Sequence, residues 1–445
     1  MKSMLELIHE LWFLKRDLVS DGFDHALRRI SDEMDSFGSS QRSSTGMVIH
    51  EYPTGEKCWT WKIPEKWTCS EAHLETLEGH RLLDYSDHPL HVLSYSLPFE
   101  GIVSRQELFE HLHIHPRLPE AIPFVFKYYE RDWGLCISQS QRDLLKDDSY
   151  RVVIRTRFEQ STVKVGELVI PGKSRECFML VAHLCHPAMV NDDLTGVVVG
   201  LEVARALLAG PQPYFTYRLL ILPETIGSVA YLSHHEELIP DMIGGLFLEM
   251  LGNDHPHALQ GSFQPGSQVD FCFQSSLHNF DAYAYTAPFR KVIQNDERQF
   301  NAPGVRVPML SISRVERSSS PTWPYPEYHS SLDTPEIISE SRLEASKNVV
   351  LGLLQAWENN YYVVNKFKGE VFCSGYGIWI DYRKNPQGHQ RLFEIMERCD
   401  GTRSVADIAI ELNISFQAVW EVVSLLREKG LVDLSRSPQP ASQSS

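Results

Sequence analysis

The sequence lacks the patterns that mark exported, disulfide-bonded or membrane-spanning proteins. Its eight cysteines are dispersed without any C-x-x-C pair, which favours reduced thiols over a disulfide framework or a structural zinc knuckle. No apolar run approaches the roughly 18 residues of a membrane-spanning helix. The N-terminal segment carries acidic residues inside its apolar pattern, unlike a signal peptide. We therefore expect a cytoplasmic protein without a membrane partner.

Positive charge is also scarce. The 42 basic residues are outnumbered by 58 acidic ones, so that the formal net charge is −16. This balance argues against non-specific binding to nucleic acid or anionic membranes, and it favours small neutral or cationic substrates. The 445 residues exceed what one hydrophobic core usually holds, and two or three domains are therefore expected.

The order of apolar patterns predicts an α/β protein. Helices are expected over residues 4–35, with a break at Asp21-Gly22, and short β-like runs follow over 51–125. The elements predicted after these are, in chain order, strands 150–157, 162–170 and 177–183, helix 193–208, strand 217–222, helix 227–238, strands 243–250 and 307–313, and helix 335–361. Alternating strands and helices indicate a mostly parallel, mixed sheet flanked by helices.

Chemically active side chains follow the ends of four central strands. They are, in order, His183 with Asp192, then Glu224, Glu249 and His329. Because open α/β sheets bind ligands at the carboxyl ends of their strands, these side chains would converge in one crevice. Imidazole and carboxylate groups suit zinc, and a further carboxylate can take a proton from a metal-activated water. The set predicts a metal-assisted hydrolase, although each piece alone also fits a capped helix start or a surface histidine.

These segments resemble the co-catalytic zinc aminopeptidases, a superfamily of α/β exopeptidases with carboxypeptidase, amidohydrolase and glutaminyl cyclase relatives. The matching pieces, in the family's order, are Ala182-His-Leu184, Asn191-Asp-Asp-Leu-Thr-Gly196, Glu224 with Gly227-Ser228, Glu249-Met-Leu-Gly252, and Tyr328-His329 with Asp333. The resemblance implies that His183 and Glu249 hold one zinc ion and that Asp192 bridges two. It also implies that His329 reaches the second ion and that Glu224 is the general base.

Three features complicate these assignments. Cys185 stands where the family has an aspartate that orients the first imidazole. Thr225 stands where the family has a second, metal-binding glutamate, so Glu224 could be base or ligand. His186 offers a replacement ligand, but a role behind the ligands is the preferred interpretation. One or two zinc ions are therefore expected.

A closer resemblance covers nearly the whole chain. It is to a little-characterised aminopeptidase-like branch often associated with polysaccharide biosynthesis genes. The segments that carry it are Cys185-His-Pro187, Pro223-Glu-Thr-Ile-Gly-Ser228, Asp296-Glu-Arg-Gln299 and Pro326-Glu-Tyr-His329. Arg298 and Tyr328 are expected near the substrate, although Arg298 could equally belong to a surface salt-bridge group.

This branch also implies a domain organisation. An aminopeptidase-like domain is expected in two parts, 1–50 and 126–365, around an inserted small β-rich domain at 51–125. A winged-helix-like domain over 366–437 and a disordered tail over 438–445 would follow.

The C-terminal part has a helix-turn-helix outline, with predicted helices 404–412 and 416–429 and a strand-like segment at 430–434. Residues 401–434 contain three basic and five acidic side chains. Because phosphate would be repelled, we expect no binding to nucleic acid. Packing against the catalytic domain, or against another subunit of a homo-oligomer, is the simpler use.

Together these features predict a zinc-dependent hydrolase that cleaves a peptide or amide bond in a small substrate and acts in cell-surface polysaccharide metabolism. The alternative is a catalytically inactive aminopeptidase-like protein that binds a peptide or a glycan-linked ligand. Cys185 and Thr225 favour that alternative.

Overall fold

The computed structural model describes residues 2–38 and 46–439. The strands in that part of the chain are β1 (Val48–Pro53), β2 (Lys57–Cys58), β3 (Trp61–Lys62), β4 (Lys66–Glu75), β5 (Arg81–Asp84), β6 (Phe99–Ser104), β7 (Leu112–His113), β8 (Leu135–Cys136), β9 (Ser149–Glu159), β10 (Thr162–Ile170), β11 (Cys177–His183), β12 (Thr216–Leu222), β13 (Met242–Leu248), β14 (His257–Gln260), β15 (Tyr285–Ala287), β16 (Met309–Arg314), β17 (Tyr362–Asn365), β18 (Asp400–Ser404) and β19 (Val432–Ser435). Of the predicted disordered tail, residues 440–445 lie outside the described residues.

The helices connect and cover these strands. They are α1 (Met4–Leu11), α2 (Asp21–Gly38), α3 (Arg105–Glu110), α4 (Gln139–Asp143), α5 (Leu194–Ala209), α6 (Ile226–His234), α7 (Gln268–Ser276), α8 (Glu297–Phe300), α9 (Glu340–Glu358), α10 (Cys373–Tyr376), α11 (Pro386–Met396), α12 (Val405–Leu412) and α13 (Phe416–Glu428). Short 3₁₀ segments lie at Pro89–His91, Glu236–Asp241, Leu277–Asn279 and Pro335–Ile337. None of the helices described has both the length and the apolar composition needed to cross a membrane.

A mixed sheet of eight strands forms the centre of the molecule, in the order β1-β10-β12-β11-β13-β16-β14-β15. The four middle strands, β12, β11, β13 and β16, are parallel neighbours. They are bordered by the antiparallel strands β10 and β14. Helix α5 packs on β11, β12 and β13, and α1, α2 and α9 pack against α5. The predicted α/β class, with a mostly parallel, mixed sheet flanked by helices, is confirmed.

Strand β11 shows why the sequence pattern was readable. All seven of its residues are buried, and it lies between β12 and β13 in the middle of the sheet. A parallel strand covered on both faces has a continuous apolar sequence, and the predicted range 177–183 matches it. Each aliphatic side chain buried in this way stabilises the fold by roughly 1.5–3 kcal/mol relative to its exposed state. The strand is therefore a rigid support for the residue that ends it, His183.

The opening helices differ from the prediction. The break expected at Asp21-Gly22 is wrong in position, because α1 ends at Leu11 and α2 begins at Asp21. Gly22 does not interrupt a helix. A Cβ atom at Gly22 would lie 2.1 Å from the carbonyl oxygen of Lys15, so this glycine allows the preceding irregular segment to pass close to α2.

A second, antiparallel sheet has the order β5-β4-β9-β6. Its longest strand, β9, lies beyond residue 125. Strands β1 and β10, which precede and follow the small sheet in the chain, belong to the central sheet. The polypeptide therefore enters the small sheet after β1 and returns to the central sheet through β9 and β10. The division of the chain into domains stays a prediction.

Near the C-terminus, β18, β17 and β19 form an antiparallel sheet next to α12 and α13. Helix α12 is capped by Ser404 at its start and is followed by Asn413, which has the left-handed backbone conformation. Ser404 also donates a hydrogen bond of 2.8 Å to the side chain of Gln268, the first residue of α7. Both predicted helices are present within a residue of their expected ranges, while the winged-helix-like assignment stays a prediction.

Candidate metal centre

Three of the predicted site residues stand at the carboxyl ends of neighbouring parallel strands. His183 is the last residue of β11, Glu224 lies two residues after β12, and Glu249 directly follows β13. His329 comes from the connection between β16 and α9. Because β12, β11 and β13 run in the same direction, their ends meet at one edge of the sheet. The structure thus brings together side chains that are far apart in the sequence.

Asp192 lies at the centre of this cluster. Its Oδ1 atom is 2.9 Å from Nε2 of His183 and 3.4 Å from Nδ1 of His186. Its Oδ2 atom is 3.0 Å from Nε2 of His329. Nε2 of His183 is also 3.6 Å from Oε1 of Glu249. The two carboxylate oxygens of Asp192 therefore face different imidazoles, which is the arrangement that a bridging carboxylate requires.

The cluster is buried and short of partners. His183, His186 and Asp192 each offer a ligand atom within 4.8 Å of the other two, and no other such group of His, Cys, Asp or Glu occurs among the described residues. Several buried polar atoms here have no hydrogen-bond partner: Nδ1 of His183, both ring nitrogens of His186, Oδ2 of Asp192, Oε2 of Glu249 and Nε2 of His329. Because each unsatisfied buried polar group costs roughly 1–3 kcal/mol, a cation is the partner that this donor set fits.

The charges within the cluster balance one another. Burial alone would raise the pKa of Asp192, but His186 and the other imidazoles hold it well below its usual value. Burial opposes protonation of His186, yet Asp192 and Glu224 raise the pKa of its imidazole to about 9. Burial would likewise raise the pKa of Glu224, but its contact with His186 lowers it to about 2. A metal ion that displaced these imidazole protons would supply the same positive charge.

The loop that carries Asp192 is held from the start of α5. Asp193 caps this helix, and its Oδ1 accepts the backbone N–H groups of Gly196 at 2.9 Å and of Met250 at 3.0 Å. Gly196 approaches the end of β13 so closely that a Cβ atom would lie 2.3 Å from the carbonyl oxygen of Leu248. Asp193 and Gly196 therefore hold the segment of Asp192 against the segment of Glu249.

Arg16 supports the same loop from below. Its guanidinium is fully buried and donates hydrogen bonds to the carbonyl oxygens of Leu184 and, at 2.8 Å, of Met189. The backbone N–H of His186 in turn donates to the carbonyl oxygen of Arg16 at 3.2 Å. Burial lowers the pKa of Arg16 to about 10, which still leaves it charged at neutral pH. This cation thus fixes the turn between His183 and Asp192.

Asp296 takes the position that Cys185 leaves open. The Cys185 thiol accepts a hydrogen bond of 3.0 Å from the backbone N–H of Glu224 and does not orient His183. Oδ2 of Asp296 lies 3.7 Å from Nδ1 of His183. The other oxygen of Asp296 accepts hydrogen bonds from the backbone of Thr225, at 2.8 Å, and from the Ser228 hydroxyl. A carboxylate behind a ligating imidazole is a common feature of metal sites.

Glu224 and His186 lie next to each other where the family pattern would have a second glutamate. Oε2 of Glu224 lies 3.4 Å from Nε2 of His186. The backbone φ angles of His186, Thr225 and His329 are 134°, 62° and 53°. Left-handed backbone is strained for such residues, and this strain is frequent at functional sites.

Each of the two expected substrate contacts, Tyr328 and Arg298, touches a residue in or next to the cluster. The ring of Tyr328 stacks on that of His329, with centroids 3.9 Å apart. Nη2 of Arg298 donates to the hydroxyl of Thr225 at 3.4 Å, and Arg298 is in none of the ion pairs found among the described residues. Arg298 and Glu224 both line a cavity of about 600 Å³. Their expected roles stay predictions, but both residues are close enough to the cluster to fill them.

Sequence reasoning missed part of this centre. The sequence favours a role behind the ligands for His186, and the structure makes it a candidate ligand as well, because its ring lies within the group formed with His183 and Asp192. The short spacing between His183 and His186 was the available signal. Nothing in the sequence pattern marked Arg16, and Asp296 was noticed only as part of a charged cluster.

Comparisons with known proteins agree with the fold. A Clostridium acetobutylicum protein, provisionally named as a polysaccharide biosynthesis protein with an aminopeptidase-like domain, is 29% identical over 439 residues and aligns with 97% of this chain and 96% of its own length. The crystal structure of a provisionally identified peptidase from the same organism superposes with a TM-score of 0.82 at 27% identity, covering 97% of this chain and 96% of that one.

A more distant structure shows the fold alone. The zinc aminopeptidase of Bacillus subtilis has a TM-score of 0.59 at 14% identity and covers 79% of this chain and 93% of its own. The expected aminopeptidase-like fold and the resemblance to a branch named for polysaccharide biosynthesis are both confirmed. A family model described as a domain of unknown function, DUF4910, matches residues 5–360, and the chain therefore belongs to the DUF4910 family.

Proposed function

We propose that this protein is a zinc-dependent hydrolase of a peptide or amide bond in a small substrate. The observation that carries the proposal is the two-sided contact of Asp192, with Oδ1 toward His183 and His186 and Oδ2 toward His329. A buried carboxylate between imidazoles suits a zinc site of one or two ions. A purely structural cluster would not leave so many of these atoms without hydrogen bonds.

The ligands fall into two groups around Asp192. His183 and Glu249 lie toward one side, and His329 lies toward the other, with His186 between them. When bound, zinc supplies Lewis acidity toward the substrate carbonyl and toward a water molecule. Asp296 keeps the ring of His183 oriented from behind through Nδ1.

Glu224 is the proposed general base. It is a carboxylate at the cavity wall, and its low pKa keeps it ionised at neutral pH. It would accept a proton from the attacking water and return it to the leaving amine. Burial raises the pKa of Tyr328 well above its usual value, so its hydroxyl stays protonated and can donate to the substrate.

Metal content and turnover test these roles separately. His183→Ala and Asp192→Ala should each lose tightly bound zinc, measured by elemental analysis after gentle purification, while His278→Ala, at an exposed position, should keep it. Glu224→Gln should keep the metal and lose turnover of a panel of amide substrates. Loss of metal in Glu224→Gln would instead assign Glu224 to the ligands. Full metal content in both His183→Ala and Asp192→Ala would contradict the proposed site.

Polysaccharide metabolism is the proposed setting, because the Clostridium acetobutylicum relative carries that name. A non-catalytic binding protein is the second candidate. Two features favour it. Thr225 stands in place of a family glutamate, and the Cys185 thiol accepts the N–H of Glu224 and does not orient an imidazole. A protein that takes up no zinc and cleaves no amide would support this second candidate.

A further inference from the structure

The cavity beside Glu224 contains an arginine without an acidic partner. Arg298 donates from Nε to the carbonyl oxygen of Asn295 at 2.9 Å and from Nη2 to Thr225. These two contacts fix the plane of the guanidinium, and its remaining donors have no acceptor among the described residues. Lys127, the other cation lining this cavity, is already paired with Asp132 at 2.6 Å. Arg298 is therefore the group in the cavity that is free to bind an anion.

Part of the cavity lining is aromatic. Trp61, Phe126 and Tyr129 line it and remain 37%, 42% and 51% exposed. Tyr129 is anchored through its hydroxyl, which donates to the carbonyl oxygen of Lys62 at 2.8 Å. Rigid aromatic side chains that stay exposed beside a cavity provide an apolar surface for a ligand. The lining thus combines a cation without an acidic partner with exposed aromatic surface.

From this arrangement we propose that the substrate is an N-acyl amino acid or a similarly short peptide, whose free carboxylate binds Arg298. The inference rests on the proposed function and names the substrate class of the same site. Arg298 contacts Thr225, which adjoins Glu224. Because Arg298 and Glu224 line the same cavity, a short substrate can place its carboxylate at Arg298 and its amide at Glu224. The apolar acyl group then packs on Trp61, Phe126 and Tyr129.

The anion is a carboxylate rather than a phosphate. Glu224 and Glu130 line the same cavity, and a phosphate with nearly two negative charges would be repelled more strongly than a carboxylate with one. The planar guanidinium also matches a carboxylate in a two-point contact.

Binding can be measured without turnover. The full-length chain carrying Glu224→Gln is titrated calorimetrically with N-benzoylglycine and with N-benzoylglycinamide, which differ only in the carboxylate. We expect the acid to bind about 10- to 100-fold more tightly, the range of a charge-assisted hydrogen-bonded pair. Adding Arg298→Gln should remove this preference, and Arg298→Lys should restore part of it. Arg306→Gln, which removes an exposed arginine outside the cavity, should leave it unchanged.

The outcomes separate the two proposals. Equal affinity for both compounds in the Glu224→Gln chain, or a preference that survives Arg298→Gln with thermal stability and metal content intact, would overturn the carboxylate inference. If the acid is preferred but the wild-type chain cleaves neither compound, the hydrolase proposal fails while the ligand assignment stands. If the wild type cleaves the amide as efficiently as the acid, the substrate class is wrong and the hydrolase proposal stands.

Discussion

The carboxylate of Asp333 accepts the backbone N–H of Asp192 at 3.1 Å, across 141 positions of the chain. The same carboxylate accepts the N–H of Asn191 at 2.7 Å and the hydroxyl of Tyr325 at 2.7 Å. Asp333 is fully buried and is not a member of the ligand group. It thus holds the backbone of Asp192, the proposed bridging residue, without belonging to the candidate ligand group.

Replacing this acceptor should weaken the metal site from a distance. In Asp333→Asn an amide N–H₂ group would face backbone N–H groups, so that at least one donor loses its partner. We expect zinc affinity to fall by about 10- to 100-fold and the free energy of unfolding to fall by about 1–3 kcal/mol. A competition titration with a chelating dye measures the affinity. Asp281→Asn is the control, since Asp281 also accepts two backbone N–H groups, those of His257 and Tyr283, away from the centre. Unchanged affinity in Asp333→Asn would show that the loop holds its shape without it.

Asp296→Asn should also lower zinc affinity, because it weakens the carboxylate behind His183. About a 10- to 100-fold loss is expected, the usual effect of removing a group that orients a ligating imidazole. Asp270→Asn provides a matched control, as Asp270 is equally buried and accepts the N–H and hydroxyl of Ser262. Equal zinc affinities in the two variants would remove Asp296 from the metal centre.

Glu167 should make the stability of the central sheet depend on pH. Burial alone would raise its pKa, but hydrogen bonds with His50, Tyr231 and Arg218 lower it to about 2. A carboxyl whose pKa is lower in the folded state than in the unfolded state stabilises the fold at pH values above its ordinary pKa. That stabilisation is lost as the pH falls toward 2. Glu167→Gln should therefore lower the free energy of unfolding by about 3 kcal/mol at pH 7.

The difference between wild type and Glu167→Gln should shrink steadily when urea unfolding is repeated between pH 4.5 and pH 3. The exposed Glu51, on the neighbouring strand β1, gives the control variant Glu51→Gln. A difference that is constant over this pH range would mean that the charge of Glu167 does not contribute.

The C-terminal helices should not bind DNA. Arg403 pairs with Asp400 at 2.6 Å and with Glu411 at 2.8 Å, and Lys429 pairs with Glu428 at 2.9 Å, so two of the three basic groups of residues 401–434 are already neutralised. Trp420 of α13 stacks on Tyr361 at 6.1 Å and is thus partly used in packing. We expect no binding tighter than about micromolar in a gel-shift titration with mixed-sequence duplex at roughly 100 mM salt. A tighter complex that weakens steeply with added salt would contradict this expectation.

The sequence alone was sufficient for the parts of the molecule that depend on local pattern. The seven-residue apolar run of β11 and the capped start of α5 are each determined by neighbouring residues, because burial on both faces and helix capping leave a short-range signature. The order of His183, Asp192, Glu224, Glu249 and His329 at successive strand ends was readable for the same reason. Parallel neighbouring strands all place their carboxyl ends at the same edge of the sheet.

Other features were decided only by the tertiary structure. Asp333 meets Asp192, and Asp296 meets His183, only because separate connections of the sheet fold over the same strand ends. Arg16 reaches Met189 because the irregular segment after α1 packs against the turn between His183 and Asp192. Hydrogen bonds between residues more than a hundred positions apart leave no periodic trace in the sequence. Their geometry depends on how the whole chain packs. The candidate ligand position of His186 and the carboxylate behind His183 therefore appear only when those connections are in place.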